Sequence, residues 1–429
     1  MTALIASFSH HLPGRHHRPR LPAALRRLIG PGLLVAVGYV DPGNWATDIA
    51  AGSRFGYVLV GTVIIASLLG MLFQGLCARL AIATGKDLAR LTHEHLPHGL
   101  AIAAWLAGEL AIVATALAEL IGGALALHLL FDLPLLGGML VTAGGTLAVM
   151  ALSSRHQQLH ERVVGLLLAL VSVSFLWLLI RAQPPLAGML HGAARGLEVV
   201  THPGMLAVAL GIVGATVMPH NLYLHSGLVA ERMTDVDTRQ RRYAMRLSIS
   251  DSRAALAVAM VVNLSMLLVA AASFGHLQVP VQSLAGAYQA LGSELGISAA
   301  IIFAVALYAA GQSSAITSVM AGQTISAGFD RGPRTLLLRG VLSRLGGVLA
   351  GFALITLLPN ANADTLLVLS QCILGLALPF ALVPLLMLCA RRQLMGRFAL
   401  GRLHLAIAIL ATALVVGLDV YLLATFNIG

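Results

Sequence analysis

The 429-residue chain is poor in charge, in cysteine and in lysine. Asp, Glu, Lys and Arg together make up 10% of it, against about a quarter in ordinary soluble domains. Its hydrophobic share is 58% and its mean hydropathy +0.88, so a soluble fold is excluded. Three cysteines, Cys77, Cys372 and Cys389, lie in apolar stretches without Cys-x-x-Cys spacing, which argues against a disulfide framework and a zinc site. No His-Glu-x-x-His or Gly-x-Ser-x-Gly motif occurs, so the nucleophile and base of a membrane hydrolase are missing. The basic excess, +10 with a pI near 10.4, would suggest nucleic acid in a soluble protein. Here the basic residues are spread over six short segments without interleaved aromatics, and no nucleic-acid partner is expected. With a single lysine against 26 arginines, the chain bears the mark of genome composition.

What is present is a series of apolar stretches, at about 28–50, 56–82, 99–128, 136–153, 163–180, 203–230, 247–274, 296–326, 337–358, 363–390 and 402–425. Each is long enough for a membrane helix, and they predict an all-α integral membrane protein of about eleven spans. Residues 1–27 hold Pro, Arg and the histidines His10, His11, His16 and His17 but no apolar core or cleavage site. They read as a cytoplasmic tail, not a signal peptide, and their histidines as incidental. An odd number of spans puts the termini on opposite sides. Scoring alternate loops places 24 of the 27 Lys and Arg on the N-terminal side and only Arg54, Arg181 and Arg195 on the other. The positive-inside rule then makes the N-terminus cytoplasmic and the C-terminus external.

Two of the stretches are interrupted at matching places. Val40-Asp41-Pro42-Gly43-Asn44 breaks the first and Val217-Met218-Pro219-His220-Asn221 the sixth, with a constant offset of 177 residues and three of five positions identical. Pro42 and Pro219 each remove a backbone donor, and Gly43 loosens the first break further. Irregular backbone at membrane depth is tolerated only inside protein or around a cavity. Paired breaks in two halves point to a transporter's midplane site. Five spans per half start the halves from opposite sides, giving an inverted 5+5 repeat, residues 28–180 and 203–390, followed by an added loop and helix in 391–429.

The chemistry of the breaks suits a cation. Asp41 brings a charge and hard oxygens, Asn44 a neutral oxygen one turn later, and the freed carbonyls near Gly38 and Ala215 add dipoles. Met218 adds a thioether, a ligand for transition metals and not for Na⁺, Mg²⁺ or Ca²⁺, although packing is the usual role of a buried Met. One carboxylate leaves a bound divalent ion with residual charge, which a membrane penalises. His220, two residues after Met218, titrates near neutral pH and, with Asp41, is a candidate for proton exchange. Of the 17 acids, most lie near span ends or in loops, while Asp41, Glu109 and Glu119 sit within apolar helices. Glu109 and Glu119 are candidates to carry a proton inward, with Arg232 at the end of span six to receive or gate it. For His225, packing and function weigh equally.

These residues resemble the Nramp family of proton-coupled divalent metal transporters. Asp41-Pro42-Gly43-Asn44 and Met218-Pro219-His220-Asn221 are its two signature motifs, both intact. Gly311-Gln312-Ser313-Ser314-Ala315-Ile316-Thr317 through Gln323 looks like its eighth helix, and Ser370-Gln371 with Leu378-Pro379-Phe380 like its tenth. The resemblance covers residues 28 to 425. It implies a leucine-transporter-type fold and a metal held by Asp41, Asn44, Met218 and the carbonyls of Gly38 and Ala215, with Gln371 joining in one conformation. It also implies import of Mn²⁺, with Fe²⁺ and Cd²⁺ as further substrates and H⁺ as the coupled ion, across the cell membrane and without a resident cofactor. Many members have an Asp where this chain has Ala116, on the way to an arginine in span nine to which Arg339 corresponds. An uncoupled uniporter or channel, and a Na⁺-coupled amino-acid symporter of the same fold, are the alternatives.

Overall fold

The computed structural model describes residues 28–153, 157–233, 236–237, 239–277, 279–281, 283–330, 336–357 and 363–425. The segment 1–27, with the four histidines considered above, lies outside the described residues. Among those described, every regular element is helical. In chain order the helices are α1 (Pro31–Gly38), α2 (Pro42–Phe55), α3 (Val60–Thr84), α4 (Leu88–His95), α5 (His98–Phe131), α6 (Leu135–Ser153), α7 (Gln157–Ala182), α8 (Leu186–Ala194), α9 (Glu198–Thr201) and α10 (Pro203–Thr216). They continue as α11 (Pro219–Arg232), α12 (Arg241–Phe274), α13 (Leu284–Glu294), α14 (Ile297–Gly328), α15 (Leu336–Leu357), α16 (Ala363–Ala377), α17 (Pro379–Ala390), α18 (Arg392–Met395) and α19 (Arg402–Thr425).

Eight spans meet the length and hydropathy expected of a membrane crossing, taking α10 with α11 and α16 with α17 as single crossings. Two shorter apolar segments, Leu135–Ala151 and Val341–Leu354, and the broken pair α1 and α2 bring the number to the eleven expected. The sequence reading missed the surface helices α4, α8 and α13, which are too short to span. It also ran 363–390 together, whereas Pro379 starts a new helix there, as a residue without an N–H does.

The basic loops gather on one face. Arg79 Nη1 donates to Phe398 O at 3.4 Å, Arg241 Nη1 to Ala83 O at 2.7 Å and Arg391 Nη1 to His95 O at 3.2 Å. At the opposite end Arg181 Nη2 donates to Leu295 O at 3.3 Å.

Packing fixes the broken helices. α2 lies along α12 and against α10, while α1 lies against α11 and α12, so the two interruptions face each other. α5, α14 and α16 wall the other side, and α19 sits at the margin against α10 and α17. Trp45 on α2 is fully buried among Phe175 of α7 and Phe303 of α14, with ring centroids at 4.7 and 5.4 Å. The start of α1 is capped from α12: Asp251 accepts from Gly30 N (3.1 Å) and Gly32 N (2.8 Å), an acid at the positive end of a helix.

Small residues let α1 and α2 approach α12 backbone to backbone, the usual device where lipid supplies no hydrophobic drive. A Cβ on Gly52 would lie 2.8 Å from Ala270 Cβ and 2.9 Å from the Ala271 nitrogen, whereas one on Gly61 would meet open space. Gly52→Val is expected to cost about 1–3 kcal/mol through overpacking and to lower the apparent melting temperature of the purified protein. Gly61→Val should leave it unchanged, and equal melting curves for the two variants would contradict this packing.

Candidate functional site

Both interruptions have the same cause. The carbonyls of Gly38 and Ala215 each look for a donor four residues on, and in both cases that residue is proline, Pro42 or Pro219. The prolines are the first residues of the following half-helices, and the irregular backbone precedes them, at Tyr39, Val40 and Asp41 and at Val217 and Met218. Gly43 lies inside α2 and does not loosen the break, contrary to the sequence reading. Its missing side chain makes room for Gln371 of α16, whose Oε1 would stand 3.0 Å from a Cβ there. Gln371 therefore lies against the first break. Asn221 is placed in the same way against Gly38, with Oδ1 2.8 Å from where a Cβ would be.

Asp41 caps α2. Its Oδ1 accepts from Asn44 N at 2.9 Å and from Asn44 Nδ2 at 2.8 Å, the behaviour of an Asx N-cap. The same Asn44 Nδ2 donates to Ala215 O at 3.1 Å, and Asn44 Oδ1 accepts from Thr216 Oγ1 at 3.3 Å. One amide thus bridges a carboxylate of the first break and a carbonyl of the second. Met218 is fully buried and its sulfur lies 3.8 Å from Asn221 Nδ2. Among the side-chain oxygens buried at the breaks without a hydrogen-bond partner are Asp41 Oδ2, Asn221 Oδ1, Gln371 Oε1 and Asn263 Oδ1. Two further carbonyls of the first break are occupied. Trp45 Nε1 donates to Val40 O at 3.0 Å and Asn263 Nδ2 to Tyr39 O at 2.9 Å. Two helix C-termini, those of α1 and α10, end at the breaks and present the negative ends of their dipoles.

The predicted proton residues divide into two groups. His220 Nδ1 lies 3.2 Å from Thr115 Oγ1 on α5, one turn before Glu119, and both His220 and Glu119 are buried. Glu119 accepts from Ser314 Oγ at 2.7 Å and Ser318 Oγ at 2.9 Å, both on α14. One turn further along that face of α14, Gly322 packs against Arg339, and a Cβ there would come within 2.6 Å of its Nε. Arg339 pairs with Glu109. Glu119, Ser318, Gly322, Arg339 and Glu109 are thus strung along one seam between α5, α14 and α15. Ala116 closes that seam: a Cβ on Gly347 of α15 would stand 3.0 Å from the Ala116 methyl, so the two helices meet there. Arg232 belongs to a separate place. It pairs with Glu161 of α7, and its Nη1 donates to Ile29 O at 3.3 Å, closing the basic side beneath α1. His225 is held at both ring nitrogens, by Gln74 Oε1 at 2.9 Å and Ser252 Oγ at 3.0 Å, which is a packing arrangement between helices.

Three polar residues escaped the sequence reading. Asn221 was visible as a motif residue but not taken as a ligand. Asp48, one turn after Asn44 on α2, is 1% exposed, and Asp419 of α19 is 7% exposed beside Gly375. Both are acids within helices, so Asp41, Glu109 and Glu119 are not alone there. The i, i+4 step from Asn44 was the available signal for Asp48. Among the described residues, no three of His, Cys, Asp and Glu come together.

The family profile described as natural resistance-associated macrophage protein-like matches residues 32–425. A protein of Brucella suis named divalent metal cation transporter MntH is 43% identical over 405 residues, covering 93% of this chain and 88% of that one. A protein of Nostoc with the same name is 40% identical over 422 residues, 96% and 95% of the two chains. The crystal structure of the Eremococcus coleocola manganese transporter, in complex with an aromatic bis-isothiourea compound, superposes with a TM-score of 0.83 at 34% identity over 96% of this chain and 88% of that one. A nucleobase-cation-symport-1 family transporter shares the fold alone, with a TM-score of 0.56 at 18% identity over 92% and 90% of the chains. The matched span holds both broken helices and everything packed around them, and the chain belongs to the Nramp family.

Proposed function

We propose that the protein is a secondary active importer of divalent transition metal ions, Mn²⁺ above all with Fe²⁺ and Cd²⁺ as further substrates, driven by H⁺ and the membrane potential through alternating access. Membership of a family of transporters, not enzymes, supports this, as do relatives named for divalent metal and manganese transport. The observation that carries it is the amide of Asn44 bridging Asp41 Oδ1 and Ala215 O. Its hydrogens neutralise two oxygens from opposite breaks, as a cation between them would. Turning that amide over presents Asn44 Oδ1 instead, with Asp41 Oδ2 and Gln371 Oε1 free to join. The ligands we assign are Asp41, Asn44, Met218, Gln371 and the carbonyls of Gly38 and Ala215. A substrate carboxylate is disfavoured, because Asp41 already occupies the end of α2 and accepts from Asn44 N.

We take residues 28–180 and 203–390 as the two inverted repeats, and the basic face as cytoplasmic, which sets the termini on opposite sides of the cell membrane. Inward movement of two charges then gains about 4.6 kcal/mol at 100 mV. The proton leaves by Asp41 or His220 to Glu119 and along the seam to Arg339 and Glu109. The Arg232–Glu161 pair gates the basic side.

Asp41→Ala is expected to abolish Mn²⁺ binding in isothermal titration, and wild-type affinity in that variant would contradict the assignment. For Met218→Ala we expect roughly tenfold weaker Cd²⁺ binding and poorer discrimination against Ca²⁺, with Mn²⁺ transport reduced but present. Unchanged Cd²⁺ affinity would remove sulfur from the site. In liposomes with an internal pH dye, Glu119→Gln should lower H⁺ influx per Mn²⁺ while Mn²⁺ binding persists. An unchanged ratio would take Glu119 off the proton route.

A further inference from the structure

The basic face contains a cavity of about 610 Å³ lined by five arginines: Arg79 of α3, Arg242, Arg246 and Arg253 of α12, and Arg397 from the segment before α19. No Asp or Glu is among its lining residues. The three arginines of α12 fall at i, i+4 and i+11, a single stripe of the helix. Its floor is apolar, formed by Met245, Ile249 and Phe398. The Arg397 guanidinium lies over the Phe398 ring, 5.0 Å from the centroid, and Arg79 Nη1 donates to the Phe398 carbonyl.

Depth fixes what meets this cavity. α12 has 34 residues, about 51 Å of helix, whereas the hydrocarbon core is about 30 Å thick. Apart from Tyr243, whose amphipathic ring suits the headgroup layer, its large exposed apolar side chains begin with Val258 and Val261, just beyond Arg253, so the stripe from Arg242 to Arg253 crosses the headgroup layer and ends at the acyl boundary. Guanidinium forks match phosphate oxygens bidentately, and Arg79 with the α12 stripe brings four of them to this rim. An apolar floor beneath a phosphate-binding rim suits a molecule with a phosphate at one end and a hydrocarbon at the other, and is wasted on a free anion.

We propose that this cavity is a binding site for an anionic phospholipid, its phosphodiester held by the arginines and its glycerol and first acyl carbons lying over Met245, Ile249 and Phe398. Occupancy would tie α3, α12 and the link to α19 together. The inference depends on the membrane placement of the fold and not on which ion is carried, so metal titration and lipid binding fail separately.

The test is lipid retention by the full-length protein, measured by native mass spectrometry in detergent with phosphatidylglycerol or phosphatidylcholine added. Wild type should keep one phosphatidylglycerol per chain and no phosphatidylcholine. The triple variant R242Q/R246Q/R253Q should bind phosphatidylglycerol roughly a hundredfold more weakly, and Arg79→Gln on its own roughly fivefold. A control triple variant with equal charge loss on the same face, R239Q/R391Q/R392Q, should bind as wild type does. Equal loss in both triple variants would show diffuse attraction and overturn the site, as would equal retention of phosphatidylcholine. So would a melting-temperature rise that sodium phosphate produces in full, with phosphatidylglycerol adding nothing. Should the Gln triple variant not fold, wild-type retention in Arg79→Gln is by itself the overturning result.

Discussion

Inside a membrane there is no water to satisfy a backbone carbonyl that has lost its donor, and the centre of this protein is organised around that constraint. Pro42 and Pro219 strand the carbonyls of Gly38 and Ala215, and the neighbouring irregular residues strand more. Three of these are answered by a side chain placed for them: Trp45 for Val40, Asn263 for Tyr39, Asn44 for Ala215. The burial of Trp45 between Phe175 and Phe303 is the means by which its N–H reaches the break. The breaks are therefore held open by packing, and the oxygens left unsatisfied beside them include Asp41 Oδ2, Asn221 Oδ1 and Gln371 Oε1.

The second constraint is charge. A lone buried carboxylate is costly unless hydrogen bonds or a counter-ion meet it. Glu119 has two serine hydroxyls, Glu109 has Arg339, and Glu161 has Arg232. Asp41 has one oxygen engaged by Asn44 and the other bare, where two helix C-termini converge; Asp48 and Asp419 each also hold a bare buried oxygen, farther along α2 and on α19. A bare oxygen where the two termini converge is a standing attraction for a cation. The seam from Glu119 to Arg339 begins one turn from Gly122, on which Pro42 packs, so the charged groups of the break and of the seam share one wall of α5.

Much of this was legible in the sequence because the signals were long or paired. The apolar stretches gave the helices that cross, and the repeated Pro-x-Asn at a fixed offset gave the breaks. The failures have physical causes. Gln371 lies over 300 residues from Asp41, and only the family resemblance pointed to it; its place against Gly43 is a matter of tertiary packing. Gly43 was read by its backbone freedom, but it serves by lacking a side chain. Asp251, which the sequence did not single out, caps α1 from 219 residues away. Asp48 and Asp419 hid within apolar helices, where a single acid carries no periodic signal. The interruption before Pro379 was missed because the residues on both sides remain apolar.

The account stands or falls on a cation lying between the two breaks. Crystals of the protein soaked in Mn²⁺ and measured at the manganese absorption edge would show it directly. The prediction is one anomalous peak within coordination distance of the Asp41 carboxylate, the Ala215 carbonyl and the Met218 sulfur, lost in Asp41→Ala. A peak elsewhere, or one that survives in that variant, would contradict it.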